Sequence, residues 1–147
     1  NVPGVYTINY SAVNSDGYPA TITRTIRVIE YGFDGTDISG TYNGIRNDRD
    51  AGGIVTITKI GPGVFEIDDI LGAYYWQGPP SYGPNYAANG IFTQNADGSW
   101  TSSQGFVPGW GDVTEAQDIT VDGNVITYYA LMLEANFGFD VTLTKIE

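Results

Sequence analysis

The chain has 147 residues, 17 acidic against 6 basic, a formal net charge of −11, and neither cysteine nor histidine. That length suits one domain with a real core, or one domain plus a fragment. The composition excludes disulfides, zinc–thiolate sites, cysteine nucleophiles and histidine triads, and the charge disfavours nucleic acid and anionic membrane surfaces as partners.

Period-two alternation runs through the sequence, with no convincing helical period. Val5 to Ala12 alternates and is rich in β-formers, Ser15-Asp16-Gly17 supplies a turn, and Ala20 to Ile29 alternates again. Ile22, Ile26 and Val28 fall on one face of this hairpin, with Arg24 the polar exception. Tyr31 to Asp37 breaks the pattern and reads as a linker. Beyond it, strands are expected over Ile38 to Arg46, Ile54 to Ile60 and Val64 to Ile67, separated by the polar turn 47–53 and by Gly61-Pro62-Gly63. Ile70 to Trp76 reads as a strand or an irregular segment. Asn89 to Gln94 and Ser99 to Ser103 flank the hairpin signal Asp97-Gly98. Gly105 to Asp112 reads as a loop. Val113 to Val121 and Asn124 to Glu134 flank Asp122-Gly123, and Phe137 to Lys145 closes the chain. Such a succession of hairpins predicts an all-β antiparallel meander, closed as an up-and-down barrel or folded as a sandwich. No run of about 18 apolar residues is present, so no membrane-spanning helix is expected. The start at Asn1, without methionine or leader, reads as a mature or excised product.

The longest interruption is GAYYWQGPPSYGPNYAANGIF, residues 72–92. Pro79, Pro80 and Pro84 bar it from helix and from central strand. Two readings stand. Tyr74, Tyr75, Trp76, Tyr82 and Tyr86 form a stacking surface for a ligand, joined by Trp100, Phe106 and Trp110 if the loops share one barrel end. Alternatively the rings pack down and cap the core. Tyrosine and tryptophan bind with little rotamer entropy to lose, and Gln77, Asn85 and Asn89 offer polar partners for hydroxyls.

Other polar groups carry weaker signals. Asp68 and Asp69 are adjacent, so on a strand they point to opposite faces and act as a pair only at a turn. Asp112, Glu115 and Asp118 do not establish the carboxylate separation that a glycosidase needs. Asn47, Asp48 and Asp50 offer oxygen ligands but lack the spacing of a calcium loop. No catalytic residue, metal or cofactor is expected, and the chain is not expected to be an enzyme.

The pattern G-x-Y-x-I-x-Y-x-A-x-N-x-D-G followed by R-T-x-x-V resembles the last two strands of a bacterial immunoglobulin-like domain. It is carried by Gly4, Tyr6, Ile8, Tyr10, Ala12, Asn14, Asp16, Gly17, Arg24, Thr25 and Val28. The remainder, from Ile38-Ser39-Gly40-Thr41-Tyr42 to Val141-Thr142-Leu143-Thr144-Lys145, is similar to the C-terminal β-domain of surface lipoproteins of unknown function from Bacteroides-type bacteria. The resemblance implies an immunoglobulin-like hairpin plus linker at 1–34 and a lipocalin-like antiparallel β-barrel at 35–147. It further implies export to the cell surface or outer membrane, with a lipid anchor upstream of this chain. The expected role is non-catalytic binding of a glycan or small ligand through the aromatic loop. The alternative is a structural module that assembles with proteins of a surface complex and takes no small ligand.

Overall fold

A computed structural model describes residues 2, 4–28 and 32–146. Ile29, at the end of the second expected strand, and Tyr31, at the start of the expected linker, lie outside the described residues. The chain divides into two compact units, Asn1–Phe33 and Asp34–Glu147.

The first unit is one antiparallel hairpin, β1 (Gly4–Val13) and β2 (Pro19–Val28). Its register places Tyr6, Ile8 and Tyr10 opposite Ile26, Arg24 and Ile22, so the apolar residues of both strands share a face with Arg24 between them. The Asn14 carboxamide accepts the N–H groups of Asp16 and Tyr18 and closes the turn.

The second unit is a single antiparallel sheet of nine strands: β3 (Gly40–Arg46), β4 (Ala51–Gly61), β5 (Val64–Ile67), β6 (Gly90–Gln94), β7 (Trp100–Ser102), β8 (Gly105–Val107), β9 (Asp112–Asp122), β10 (Val125–Met132) and β11 (Phe137–Lys145). The order across the sheet is β7-β6-β5-β4-β3-β11-β10-β9-β8, so the last strand pairs with the first strand of the unit. The sheet curls into a half-barrel. Its two ends approach through side chains rather than a ladder: the Ser102 hydroxyl of β7 accepts the Ala116 N–H of β9 at 2.9 Å. The expected all-β antiparallel meander is what forms.

Alternation decides what fills the interior. Tyr42, Val55, Ile57, Phe65, Ile67, Phe92, Ile126, Val141 and Leu143 all point inward and are buried. Each such side chain contributes about 1.5–3 kcal/mol by leaving water. The Tyr42 hydroxyl donates to Ile38 O at 2.6 Å, which satisfies the one polar atom that this ring brings into the core.

Ile70 to Trp76, read as a strand or an irregular segment, takes the irregular alternative as a series of turns. Gly72 sits at φ 66° and Ala73 at φ 57°, a left-handed pair that no strand accommodates. Conversely, Gly105–Val107, expected within a loop, is the short strand β8, paired with β9 through Gly105↔Thr114 and Val107↔Asp112. Among the described residues no helix is long and apolar enough to cross a membrane.

Candidate functional site at one end of the half-barrel

β3 and β10 end, and β9 and β11 begin, at the same end of the sheet. Their inward residues there are Arg46, Met132, Asp112 and Phe139, all buried. The aromatic loop crosses this end. Its first turn plugs the interior, with Ile70, Leu71, Ala73 and, at its return, Ala88 fully buried. The Asp69 carboxylate holds the plug, as Oδ1 accepts the N–H groups of Leu71 at 2.9 Å and Ala88 at 3.0 Å. Glycines let the loop lie this close: a Cβ at Gly44 would stand 2.8 Å from Gly72 O, and one at Gly53 2.7 Å from Gln77 Cβ. The Gln77 carboxamide then pairs with both backbone groups of Ile54, each bond 3.0 Å long.

Above the plug the rings interlock. Tyr75 is the hub: its ring lies 4.9 Å from Tyr74, 4.7 Å from Trp110 and 6.2 Å from Phe139, all edge-on, and is parallel to Tyr82 at 6.5 Å. Tyr86 closes the group at 5.1 Å from Tyr82 and 5.0 Å from Trp110. The β8–β9 turn is locked to the loop by the Gly109 N–H donating to Asn85 O at 2.7 Å. The Tyr86 ring lies so close over Gly109 that a Cβ there would overlap it.

Beneath the rings sits Arg46, 4% exposed. Its guanidinium lies 4.2 Å from the centroid of Phe139, 4.9 Å from Tyr74, 5.2 Å from Phe137 and 5.8 Å from Tyr75. Nε and Nη2 donate to the two carboxylate oxygens of Asp48 at 2.6 and 2.9 Å, and Nη1 donates to the Tyr75 hydroxyl at 2.7 Å. That arrangement is a buried cation with its charge paired and its faces covered by rings. The hydrogen bond from Arg46 holds the Asp48 carboxyl below the ordinary range. Burial pushes the Tyr75 phenol up, against the opposing pull of Arg46. Sequence reading missed two residues of this end, Phe137, read only as the start of the last strand, and Arg46. For Arg46, its place as an inward position of β3 was the available signal, since an arginine there must find partners.

Of the ring candidates, Tyr74, Tyr75, Tyr82, Tyr86 and Trp110 come together. Trp100 stands at the opposite end of the sheet, 5.9 Å from Phe65. Trp76 and Phe106 make no ring contact among the described residues; Trp76 is half-buried and Phe106 exposed. An open cavity of 340 Å³ borders the group, lined by Tyr75, Tyr82, Trp110, Met132 and Phe137, with Asp112 on its buried side. Tyr82 is 56% exposed, Phe137 43% and Trp110 42%.

The acidic clusters do not converge on this cavity. Asp69 points inward, and Asp68 Oδ1 accepts the Thr56 N–H at 2.9 Å. Asp112 and Glu115 lie on opposite faces of β9, and Asp118 sits at a bulge. Asp48 is occupied by Arg46. No group of acidic side chains suited to holding a metal ion occurs among the described residues.

A family model described as a C-terminal domain matches residues 33–145. The chain is similar to the crystal structure of the lipoprotein BT2262 from Bacteroides thetaiotaomicron, with 28% identity and a TM-score of 0.63, over 99% of this chain and 77% of that one. No curated protein matches it. The two matches bear out the resemblance to the C-terminal part of a Bacteroides-type lipoprotein.

Proposed function

The chain belongs to this family of C-terminal domains, and from that premise we propose that it is a non-catalytic binding module of an exported lipoprotein. It is displayed at the cell surface on a lipid anchor borne upstream, and it engages a glycan or small ligand with a flat apolar face. The observation that carries this reading is the exposure of three large rings, Tyr82, Trp110 and Phe137, around one cavity. Contiguous apolar surface of this kind is costly to leave in water and marks interaction sites. The rings are also held rigid by Tyr75, Tyr86 and the caged Arg46, so little order remains to be imposed on binding. The lipoprotein among the similar structures supports export.

Calorimetry against a glycan panel, before and after Trp110→Ala, tests the reading. Trp110 is part-exposed at the rim but packs on Tyr75, Tyr82 and Tyr86, so the expected outcome is loss of binding by a protein that is still folded at the assay temperature, with a lowered melting temperature. Absence of binding to the whole panel, with Trp110→Ala only lowering the melting temperature, would favour a structural module of a surface assembly instead.

A further inference from the structure

Resting on the reading of the basin as a binding site, we propose that its ligand is a neutral sugar ring oriented by Asp112 and Tyr75, and that uronates and other anionic glycans are rejected. Asp112 is 5% exposed and borders the cavity. Its Oδ1 accepts the Glu134 N–H at 2.9 Å and its Oδ2 the Ala135 N–H at 3.2 Å. These bonds to the β10–β11 turn fix the plane of the carboxylate. A carboxylate offers about four acceptor directions, so two backbone bonds leave roughly half of that capacity unused. Among the described residues no lysine or arginine forms an ion pair with Asp112, and no cationic side chain lines the cavity.

The remaining lone pairs can accept further donors. A sugar hydroxyl supplies one without bringing a second desolvated charge into the site. Tyr75 provides the complement. Its hydroxyl oxygen accepts from Arg46, which leaves the phenolic proton free to donate to a ligand oxygen. Trp110, Tyr82 and Phe137 line the same cavity and offer apolar ring surface that suits the C–H face of a pyranose. One acceptor, one donor and flanking rings describe a hydroxyl-rich, uncharged ring. A carboxylated sugar would set its charge against Asp112 in a chain whose net charge is −11.

The test is calorimetry on the full chain with cellohexaose, maltohexaose, mannohexaose and hexagalacturonate, the last repeated at low and high salt. Binding of at least one neutral oligomer is expected, with hexagalacturonate at least tenfold weaker at low salt. Asp112→Asn is expected to weaken the neutral oligomer about tenfold or more, the loss that follows removal of a charged hydrogen-bond acceptor. Hexagalacturonate bound as tightly as the neutral oligomers, with that binding abolished by Trp110→Ala, would overturn the neutral-sugar assignment and leave the basin as a binding site. Binding to none of the four would remove both. Should Asp112→Asn fail to fold, the comparison of neutral and anionic oligomers on the unaltered chain still decides the matter.

Discussion

Asp69 shows how one side chain makes the stability of this fold depend on pH. It is fully buried, Oδ1 takes two backbone N–H groups, and Oδ2 has no hydrogen-bond partner among the described residues. Burial pushes its pKa from 3.8 up to about 7, with nearby Asp68 adding to the rise and the two N–H groups opposing it. Between those values the native state binds more protons than the unfolded chain. Stability from this group is therefore complete below about pH 4 and is lost as pH rises through about 7. Asp69→Asn should flatten the pH dependence over that window, measured as urea midpoints from pH 4 to pH 8 beside the unaltered protein. Equal slopes in the two proteins would contradict this account. Sequence reading marked Asp69 only as half of an adjacent pair, because its burial depends on a loop that doubles back to bring Ala88 over it. Arg46 was hidden for a similar reason: Asp48 lies two residues away, but the four rings that cage it come from the loop and from β11.

Strands and tight turns were legible because their signals are local. The Gly98 and Gly123 turns sit where Asp-Gly was read, at φ 86° and 56°. Register irregularities were not legible. In β9, Asp112, Thr114 and Ala116 face inward, but beyond the bulge the inward residue is Ile119. The pairing skips from Gln117↔Tyr129 to Thr120↔Thr127, so two residues of β9 oppose Tyr128. Asp118 takes the left-handed conformation at φ 53°, which aspartate tolerates and β-branched residues do not. Asp118→Gly should therefore keep the melting temperature within a degree or two, whereas Asp118→Val should cost about 1–2 kcal/mol. Thermal unfolding of both variants checks this, and a Val variant as stable as the Gly variant would contradict the left-handed conformation assigned to position 118. The segment 70–76 was ambiguous because its apolar run fits a strand as well as a plug. The glycines at 44, 53 and 72 decide for the plug by letting two backbones meet.

At the scale of the whole molecule, the buried core residues among those described all come from Ile38 onward, and none from the hairpin. A two-stranded sheet is marginal in water without further cover. A chain trimmed to residues 34–147 should thus unfold cooperatively in urea, whereas a peptide of residues 1–28 should give no dispersed amide spectrum. A trimmed chain without a cooperative transition would mean that the larger unit draws its stability from the smaller one. The all-β class and the gathering of five rings were within reach of sequence because composition and spacing carry them. The separation of Trp100 from Trp110 was not, because it follows from register along the strands: Trp100 pairs with Gln94, at the end of β6 away from the aromatic loop, whereas the turn bearing Trp110 joins β8 to β9 at the loop's end. The interlocked rings also make this end of the molecule its own optical reporter. Tyr75, Tyr82, Tyr86 and Trp110 are held in fixed edge-on and stacked geometry, an asymmetric chromophore that gives near-ultraviolet circular dichroism only while side-chain packing persists. Loosening of the loop would weaken the near-ultraviolet signal, leaving the part from Tyr42, Tyr128 and Trp100, while the far-ultraviolet signal of the strands remained, so motion at the site can be followed without any added label.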